Sequence, residues 1–238
     1  MTHLSRWAAL AAAALFCTCT ANAAEKRYGL TSFESIEVDA DVTVEVSARA
    51  PVSAVASGSQ DALDRLLVEA RDGKLVIKMR RFAGDGEKGK GAVPVVVRVN
   101  AAGLASAMLA GAGSLAIDRL RGARVAIGLR GPGRLTVAHV EADRLEVAMI
   151  GNGTMTLGGE AKQASLLLSG AGAVDAGKLA VGDLKSDSEG AGDHLFNATK
   201  SATITARGVG RTVVLGRPVC TVRNVGSGTV DCGTAGGR

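Results

Sequence analysis

In the stretch LLLSGAGAVDAG, residues 166–177, a Gly170-Ala171-Gly172 triplet separates two short apolar runs, and this pattern indicates the architecture of the chain. Gly-x-Gly triplets of this kind recur along the second half of the chain. Their first glycines are Gly111, Gly131, Gly151, Gly170, Gly190, Gly208 and Gly226, at steps of 20, 20, 19, 20, 18 and 18 residues. Such even spacing is typical of a repeat architecture built from one structural unit per period.

The residues around each triplet alternate between apolar and polar with a period of two. In the unit quoted above, Leu166 and Leu168 precede the triplet, and Val174 and Ala176 follow it at the same two-residue spacing. This periodicity indicates strands with one buried face. We therefore expect each unit to contain a strand, a glycine corner, a second strand and a looser polar connection.

Units of about 20 residues cannot bury an apolar face alone, but stacked units share one continuous core. The sequence predicts an all-β chain: a parallel β-solenoid of about seven Gly-x-Gly-cornered repeats, similar to a β-helix, with an N-terminal β-rich capping region. Glycine recurs at the corners because a tight bend often requires a positive φ and leaves no room for a Cβ. A phosphate-binding loop would instead need one glycine-rich turn between a strand and a helix.

The first residues have the features of a secretory signal peptide. Arg6 is followed by an apolar core over residues 7–16, and Ala21-Asn22-Ala23 has the small-x-small pattern of a cleavage site. We interpret residues 1–23 as this signal, and expect a periplasmic or cell-surface bacterial protein. A membrane anchor is the alternative, as is a lipoprotein modified at Cys17 or Cys19.

The rest of the chain, residues 24–238, is predicted to form a single domain. Residues 24–100 form the N-terminal β region, residues 101–232 the solenoid and residues 233–238 a tail. Within the N-terminal region we expect strands between residues 33 and 57, a helix from Gln60 to Leu67 capped by Ser59, and strands over residues 75–79 and from Val93 to Val99. The glycine-rich loop of residues 84–91 has basic neighbours, and is interpreted as solvated or as attractive to an anionic partner.

Cys220 and Cys232 remain after removal of the signal. An even cysteine count in an exported protein favours a disulfide over two buried free thiols. Both cysteines fall in inward-facing columns of the last repeat, two residues away from direct opposition, an offset that a small bulge could absorb.

One repeat breaks the apolar pattern, because Ser186, Ser188 and His194 occupy columns that elsewhere point inward. A serine near a histidine raises the hypothesis of nucleophilic catalysis, which needs an accessible nucleophile and an oriented base. A buried polar pair, or a slipped register, is the structural alternative. Asp187, Glu189 and Asp193 form an outward acidic group, interpreted as a solvated patch or a weak calcium site. We expect no catalytic residue, no metal and no cofactor.

The composition argues against nucleic acid as a partner. Aromatic residues make up only 3% of the chain, and the formal net charge is +5. Sites for single-stranded nucleic acid depend on aromatic stacking platforms, and such a mild positive charge does not by itself indicate nucleic-acid binding.

The segments DGKLVI, GAGSL, SGAGAV and VGSGTV, with their spacing of 18 to 20 residues, give the chain a family resemblance. Over nearly all of residues 25–232 it resembles the head GIN domain family, described as heads of autotransporter adhesins. The resemblance implies a β-solenoid fold and an adhesin-like role, and it transfers no catalytic residue.

Two functions remain open at this point. The first is a non-enzymatic envelope protein whose rigid solenoid surface contacts a protein or a polysaccharide. The alternative is a polysaccharide-acting β-helix enzyme, which would need a groove lined by carboxylates or arginines on neighbouring repeats. The identity of the partner and the oligomeric state are not specified by the sequence.

Overall fold

The computed structural model describes residues 24–48, 51–80 and 94–234. The signal peptide and the loop of residues 84–91 lie outside the described residues. The described elements, in chain order, are β1 (Ala24–Tyr28), β2 (Ser35–Asp39), β3 (Thr43–Ser47), β4 (Ser53–Gly58), α1 (Gln60–Arg65), β5 (Leu66–Arg71), β6 (Lys74–Met79), β7 (Val96–Asn100), β8 (Ser106–Ala110), β9 (Ser114–Arg130), β10 (Arg134–Gly151), β11 (Thr154–Gly170), β12 (Ala173–Gly190), β13 (His194–Gly208), β14 (Arg211–Gly216), β15 (Val219–Gly226) and β16 (Thr229–Thr234).

The repeats stack as a parallel β-solenoid, which confirms the predicted fold class. Each long strand from β9 to β13 pairs in parallel with the corresponding strand of the next turn, so that Leu135 lies beside both Leu115 and Met155. Like residues therefore form columns along the stack, and the inward columns are buried. The solenoid has about six turns rather than seven repeats, because seven corners enclose six intervals.

Each full turn is paired on three sides, which corrects the expectation of a loose polar connection. Between β9 and β10 the paired segments are residues 114–117, 119–122 and 124–130, which we call the first, second and third faces. The second face corresponds to the connection that was predicted to be loose and polar. Its Leu120 and Val140 are buried inside the stack, so this short segment alternates as a strand does.

The N-terminal region extends the stack before closing it. Strand β2 pairs in parallel with β8, and β3 pairs in parallel with β9, so β2 and β3 form an additional rung ahead of the first glycine corner. The next layer is β6 on β2 and β7 on β3, also parallel. Beyond it, β5 pairs with β6, β4 with β7 and β1 with β4, all antiparallel.

The expected local elements of this region are present with small changes. Helix α1 ends at Arg65 rather than at Leu67, because Leu66 already starts β5. Ser59 occupies the N-cap, but its side chain makes no capping hydrogen bond. Strand β7 begins at Val96, after Pro94, which has no N–H to donate to a sheet, and the predicted start at Val93 lies outside the described residues.

The additional rung replaces the glycine corner with an aspartate. Asp41 lies where the other rungs have the middle residue of the triplet, and its Oδ1 accepts a hydrogen bond of 2.8 Å from the Ala112 N–H. The carboxylate thus accepts the corner N–H that in other rungs, such as that of Ala191, donates to a glycine carbonyl of the rung below. The sequence analysis missed this rung because it has no Gly-x-Gly signal.

Successive corners approach so closely that a side chain cannot be inserted between them. Gly190 has a φ of 126°, and a Cβ on it would overlap the carbonyl oxygen of Gly170 in the rung below. Gly192, the second glycine of the same triplet, has no positive φ, but a Cβ on it would likewise overlap the carbonyl oxygen of Gly172. The corner therefore needs glycine for conformational freedom and for close backbone approach.

Alanine substitutions separate these two requirements. Gly190→Ala combines strain with overlap, and we expect it to lower the free energy of unfolding by about 3 kcal/mol or more. Gly103→Ala adds strain alone, since its φ is 82° and nothing lies within 4 Å, and should cost about 1–2 kcal/mol. Gly29→Ala, with neither constraint, is the control. Urea denaturation measures all three, and a Gly190→Ala protein as stable as Gly29→Ala would contradict the stacking of corners.

Candidate functional site

Four buried polar residues gather at one corner near the C-terminal end of the solenoid. Ser186 and Ser188 lie near the end of β12, His194 begins β13, and Thr212 follows His194 in the same column on β14. They are the only buried polar or charged residues in the part of the chain that the structure describes. The space between His194, Thr212 and the neighbouring glycines is a cavity of about 10 Å³, the size of one water molecule.

The side chains of this polar corner are not arranged as a nucleophile and its base. The Ser188 hydroxyl donates to the carbonyl oxygen of Thr205 at 3.5 Å, rather than to His194. Ser186 Oγ and His194 Nδ1 are buried and have no hydrogen-bond partner among the described residues. Nucleophilic catalysis needs an accessible nucleophile within hydrogen-bond reach of its base. The described geometry lacks this contact, and it equally lacks the serine–histidine hydrogen bond of a self-satisfied buried pair.

Burial is the dominant influence on His194. It lowers the pKa of the imidazole below its ordinary value, and the charge and backbone carbonyl of Asp193 oppose this only in part. The ring stacks on Phe196 with a centroid distance of 6.1 Å. The neutral imidazole thus acts as a mainly apolar filler of the corner.

The outward acidic group is used in pairing between rungs. Asp187 Oδ1 accepts from Arg207 Nη2 at 2.7 Å, and Asp193 Oδ1 accepts from the Arg211 N–H at 3.2 Å. Within residues 24–48, 51–80 and 94–234, no three histidine, cysteine or acidic side chains come together as metal ligands.

Cys220 and Cys232 form a disulfide, with their Cα atoms 6.3 Å apart. Strand β16 keeps its register with β14 up to Cys232, and the extra residue of a bulge follows at Gly233. The bulge therefore does not bring the two cysteines together. A bridge over a loop of this length contributes about 3 kcal/mol in the chain-entropy model, and it joins the two strands of the last rung.

The outer surface of the third face carries an apolar column. Its members, from neighbouring paired strands, are Met108, Gly128, Ala148 and Leu167. We call these residues, together with Ile150, the apolar patch. The side chains of Ile150 and Leu167 are 52% and 60% exposed, whereas outward positions of a soluble sheet are usually polar.

The apolar patch has a shallow shape and a polar border. Met108 lies over Gly128, where a Cβ would overlap its terminal atoms, and the surface there forms a depression of about 350 Å³. Glu37 continues the column on one side and Asp187 on the other. An exposed apolar surface with a charged border is typical of an interaction site. The patch was not predicted from the sequence because only the inward columns were searched for apolar residues, whereas this outward column lies three residues before each triplet.

The second face has a different character, because its charges pair along the stack. Arg121 lies 3.2 Å from Glu141, and Lys162 lies 2.6 Å from Asp143. Hydrogen bonding to Asp143 raises the pKa of Lys162. An open depression of about 690 Å³ lies along this row. Two of the three acids that line it, Glu141 and Asp143, pair with neighbouring bases, and Glu160 is the one left without an ion pair among these lining residues. The depression therefore does not present the two unpaired carboxylates expected of a polysaccharide-cleaving groove.

Removal of the unpartnered hydroxyl of Ser186 provides a test of the structural role. Ser186→Ala eliminates a buried group that lacks a hydrogen bond, so we expect the free energy of unfolding to rise by about 1 kcal/mol. Ser188→Ala removes a bonded hydroxyl and should give no gain. Urea denaturation of both variants makes the comparison, and a loss of stability in Ser186→Ala would show that its hydroxyl has a partner.

The lowered pKa of His194 predicts a loss of stability in acid. In the unfolded chain His194 binds a proton at about pH 6.5, and in the folded chain it does so only at lower pH. The free energy of unfolding therefore keeps its full value above about pH 6.5, and below that pH it falls by up to about 1.4 kcal/mol per pH unit. His194→Leu should flatten this dependence between pH 7.5 and 5.5. His139→Leu, at an exposed position, should keep it. Equal pH profiles for the two variants would contradict the burial of a neutral His194.

Comparison with known proteins places the chain in a family and finds solved structures with the same fold. The family described as "Putative auto-transporter adhesin, head GIN domain" matches residues 32–218. No curated protein matches the chain. In the part of the chain that the structure describes, no helix is long and apolar enough to cross a membrane.

Solved structures share the fold. A "putative adhesin" from Bacteroides fragilis has a TM-score of 0.79 and 22% identity, and the match covers 89% of this chain and 97% of that one. A "putative adhesin" from Parabacteroides distasonis has a TM-score of 0.70 and 20% identity, with 88% and 96% covered. A "putative lipid binding protein" from the same species has a TM-score of 0.70 and 16% identity, with 90% and 98% covered.

Proposed function

The chain belongs to the head GIN domain family of auto-transporter adhesins, and from this premise we propose that it is a non-enzymatic cell-envelope protein that binds a partner through an outer face of its solenoid. The coarse assignment as adhesin-like rests on the family. The choice of surface rests on the apolar patch of the third face.

The apolar patch supports this proposal because it combines exposure with rigidity. Its side chains project from consecutive hydrogen-bonded strands, so their spacing along the stack is fixed at about 4.8 Å per rung. A partner that covers such a surface orders few additional side chains on binding, which reduces the entropic cost of association. The polar corner offers no comparable access, since Ser186, Ser188 and His194 are buried.

The chemistry of the patch favours a protein partner over a polysaccharide. Ile150 and Leu167 are aliphatic and exposed, and aliphatic contacts are common at the centres of protein interfaces. The patch has no aromatic ring on which a sugar could stack.

We also propose that the chain works outside the cytoplasm, in the periplasm or at the cell surface. The signal-like residues 1–23 and the Cys220–Cys232 disulfide support this location, because disulfides persist in oxidising compartments.

An affinity capture with two matched variants tests the proposed surface. Residues 24–238 are immobilised and incubated with solubilised cell envelope, and retained material is identified by mass spectrometry. Leu167→Asp places a charge in the apolar patch and should remove a specific partner. Val209→Asp introduces the same charge at a corner residue that is 65% exposed, away from the patch, and should retain it.

The outcomes separate the candidate functions. A partner that is lost with Leu167→Asp and destroyed by protease treatment supports protein binding at the patch, whereas a protease-resistant partner is a polysaccharide. Retention by both variants shows that another face binds. Release of new reducing ends from envelope polysaccharide would overturn the non-enzymatic assignment in favour of a polysaccharide-acting enzyme.

A further inference from the structure

We propose that the C-terminal end of the solenoid pairs with the same end of a second copy of this chain, through an antiparallel contact between the two β15 strands. The contact surface is the exposed edge of the last rung. It is distinct from the apolar patch.

The last described rung, formed by β15 and β16, has inward residues like those of an interior rung, but no further described strand pairs with its outer edge. Within the described residues, β15 pairs only with β13, and β16 only with β14. Val222 continues the inward column of Leu166, Ser186 and Ile204, which are buried, yet it is 44% exposed. The end of the solenoid thus presents unpaired backbone groups beside uncovered core side chains.

At the opposite end of the described structure the core is covered, and the edge strands β1 and β5 carry charged residues such as Lys26 and Glu69, which oppose strand pairing. Antiparallel strands β5, β4 and β1 cover the parallel layers there, and α1 packs against β1, β4 and β5. Head-to-tail stacking of copies would need two open ends, and it would produce a filament. Because the charged edges of β1 and β5 disfavour such stacking, the uncharged inward edge of β15 is left to make a self-complementary contact about a two-fold axis, which produces a closed dimer.

The edge of β15 lacks the features that usually prevent strand pairing. Natural edges carry lysines, prolines or charges on inward positions. Within its sequence VCTVRNVG the inward residues are Cys220, Val222 and Asn224, and the only charge, on Arg223, points outward.

The sequence of β15 is nearly symmetric about Val222, which selects one register. With Val222 opposite itself, Val219 faces Val225 of the second copy, and Thr221 faces its Arg223. The valines then meet valines, Cys220 faces Asn224, and no like charges are opposed. A register centred on Arg223 would place two guanidinium groups opposite each other, which is unfavourable for a cross-strand pair.

Sedimentation velocity of residues 24–238 over a range of concentrations tests the dimer. The wild-type protein should change from monomer to dimer with increasing concentration. Val222→Lys places a charge between the two edges and should keep the protein monomeric. Val209→Lys makes the same substitution at an exposed corner and should dimerise as the wild type does. Thermal unfolding establishes that both variants are folded.

Charge changes at Thr221 test the register. The Thr221–Arg223 contact occurs twice in a two-fold dimer, so Thr221→Arg should weaken association about 2- to 30-fold and Thr221→Glu should strengthen it by a similar factor. The side chain of Thr221 points to solvent, so neither change disturbs the core. A monomeric wild type, a series of larger oligomers, or a dimer that responds to neither Val222→Lys nor Thr221→Arg would overturn the proposal.

Discussion

The close contact between successive glycine corners sets the alignment of the rungs. Each corner lies directly over the carbonyl oxygens of the corner below, as Gly190 does over Gly170. The rungs are therefore aligned at their corners, where a side chain on the glycine would not fit. This alignment fixes the register of the three faces, and the register in turn places like residues in columns. The buried core, the ion pairs between rungs and the apolar patch all follow from the same alignment.

The sequence predicted the repeating part of this structure because the repeat carries two independent signals. Glycine spacing locates the corners, and the alternation around residues such as Leu166 and Val174 identifies the inward columns. The additional rung formed by β2 and β3 could not be found in this way, since Asp41 performs at its corner the hydrogen-bonding role that backbone groups perform elsewhere. A carboxylate and a glycine triplet satisfy the same geometric requirement by different chemistry.

In the candidate site, too, the sequence period specified which side chains point inward but not which atoms they contact. Alternation identified Ser186, Ser188 and His194 as inward residues, but their hydrogen-bond partners depend on rotamers and on neighbouring rungs. Ser188 binds the Thr205 carbonyl and not His194, a choice that no sequence pattern encodes. The apolar patch was missed for another reason: Met108, Gly128, Ala148 and Leu167 form an outward column, and only the inward columns were searched for apolar residues.

Amide hydrogen exchange at the corners tests the central role of corner stacking most directly. The N–H groups of Ala191 and Val209 lie in exposed corners, yet each donates to a glycine carbonyl of the preceding rung at 3.0 Å. If stacked corners hold the solenoid together, these two amides exchange as slowly as those of the adjoining strands, since both open only when rungs separate. Exchange at the rate of an ordinary exposed loop would show that the corners merely connect the strands, and would contradict the account.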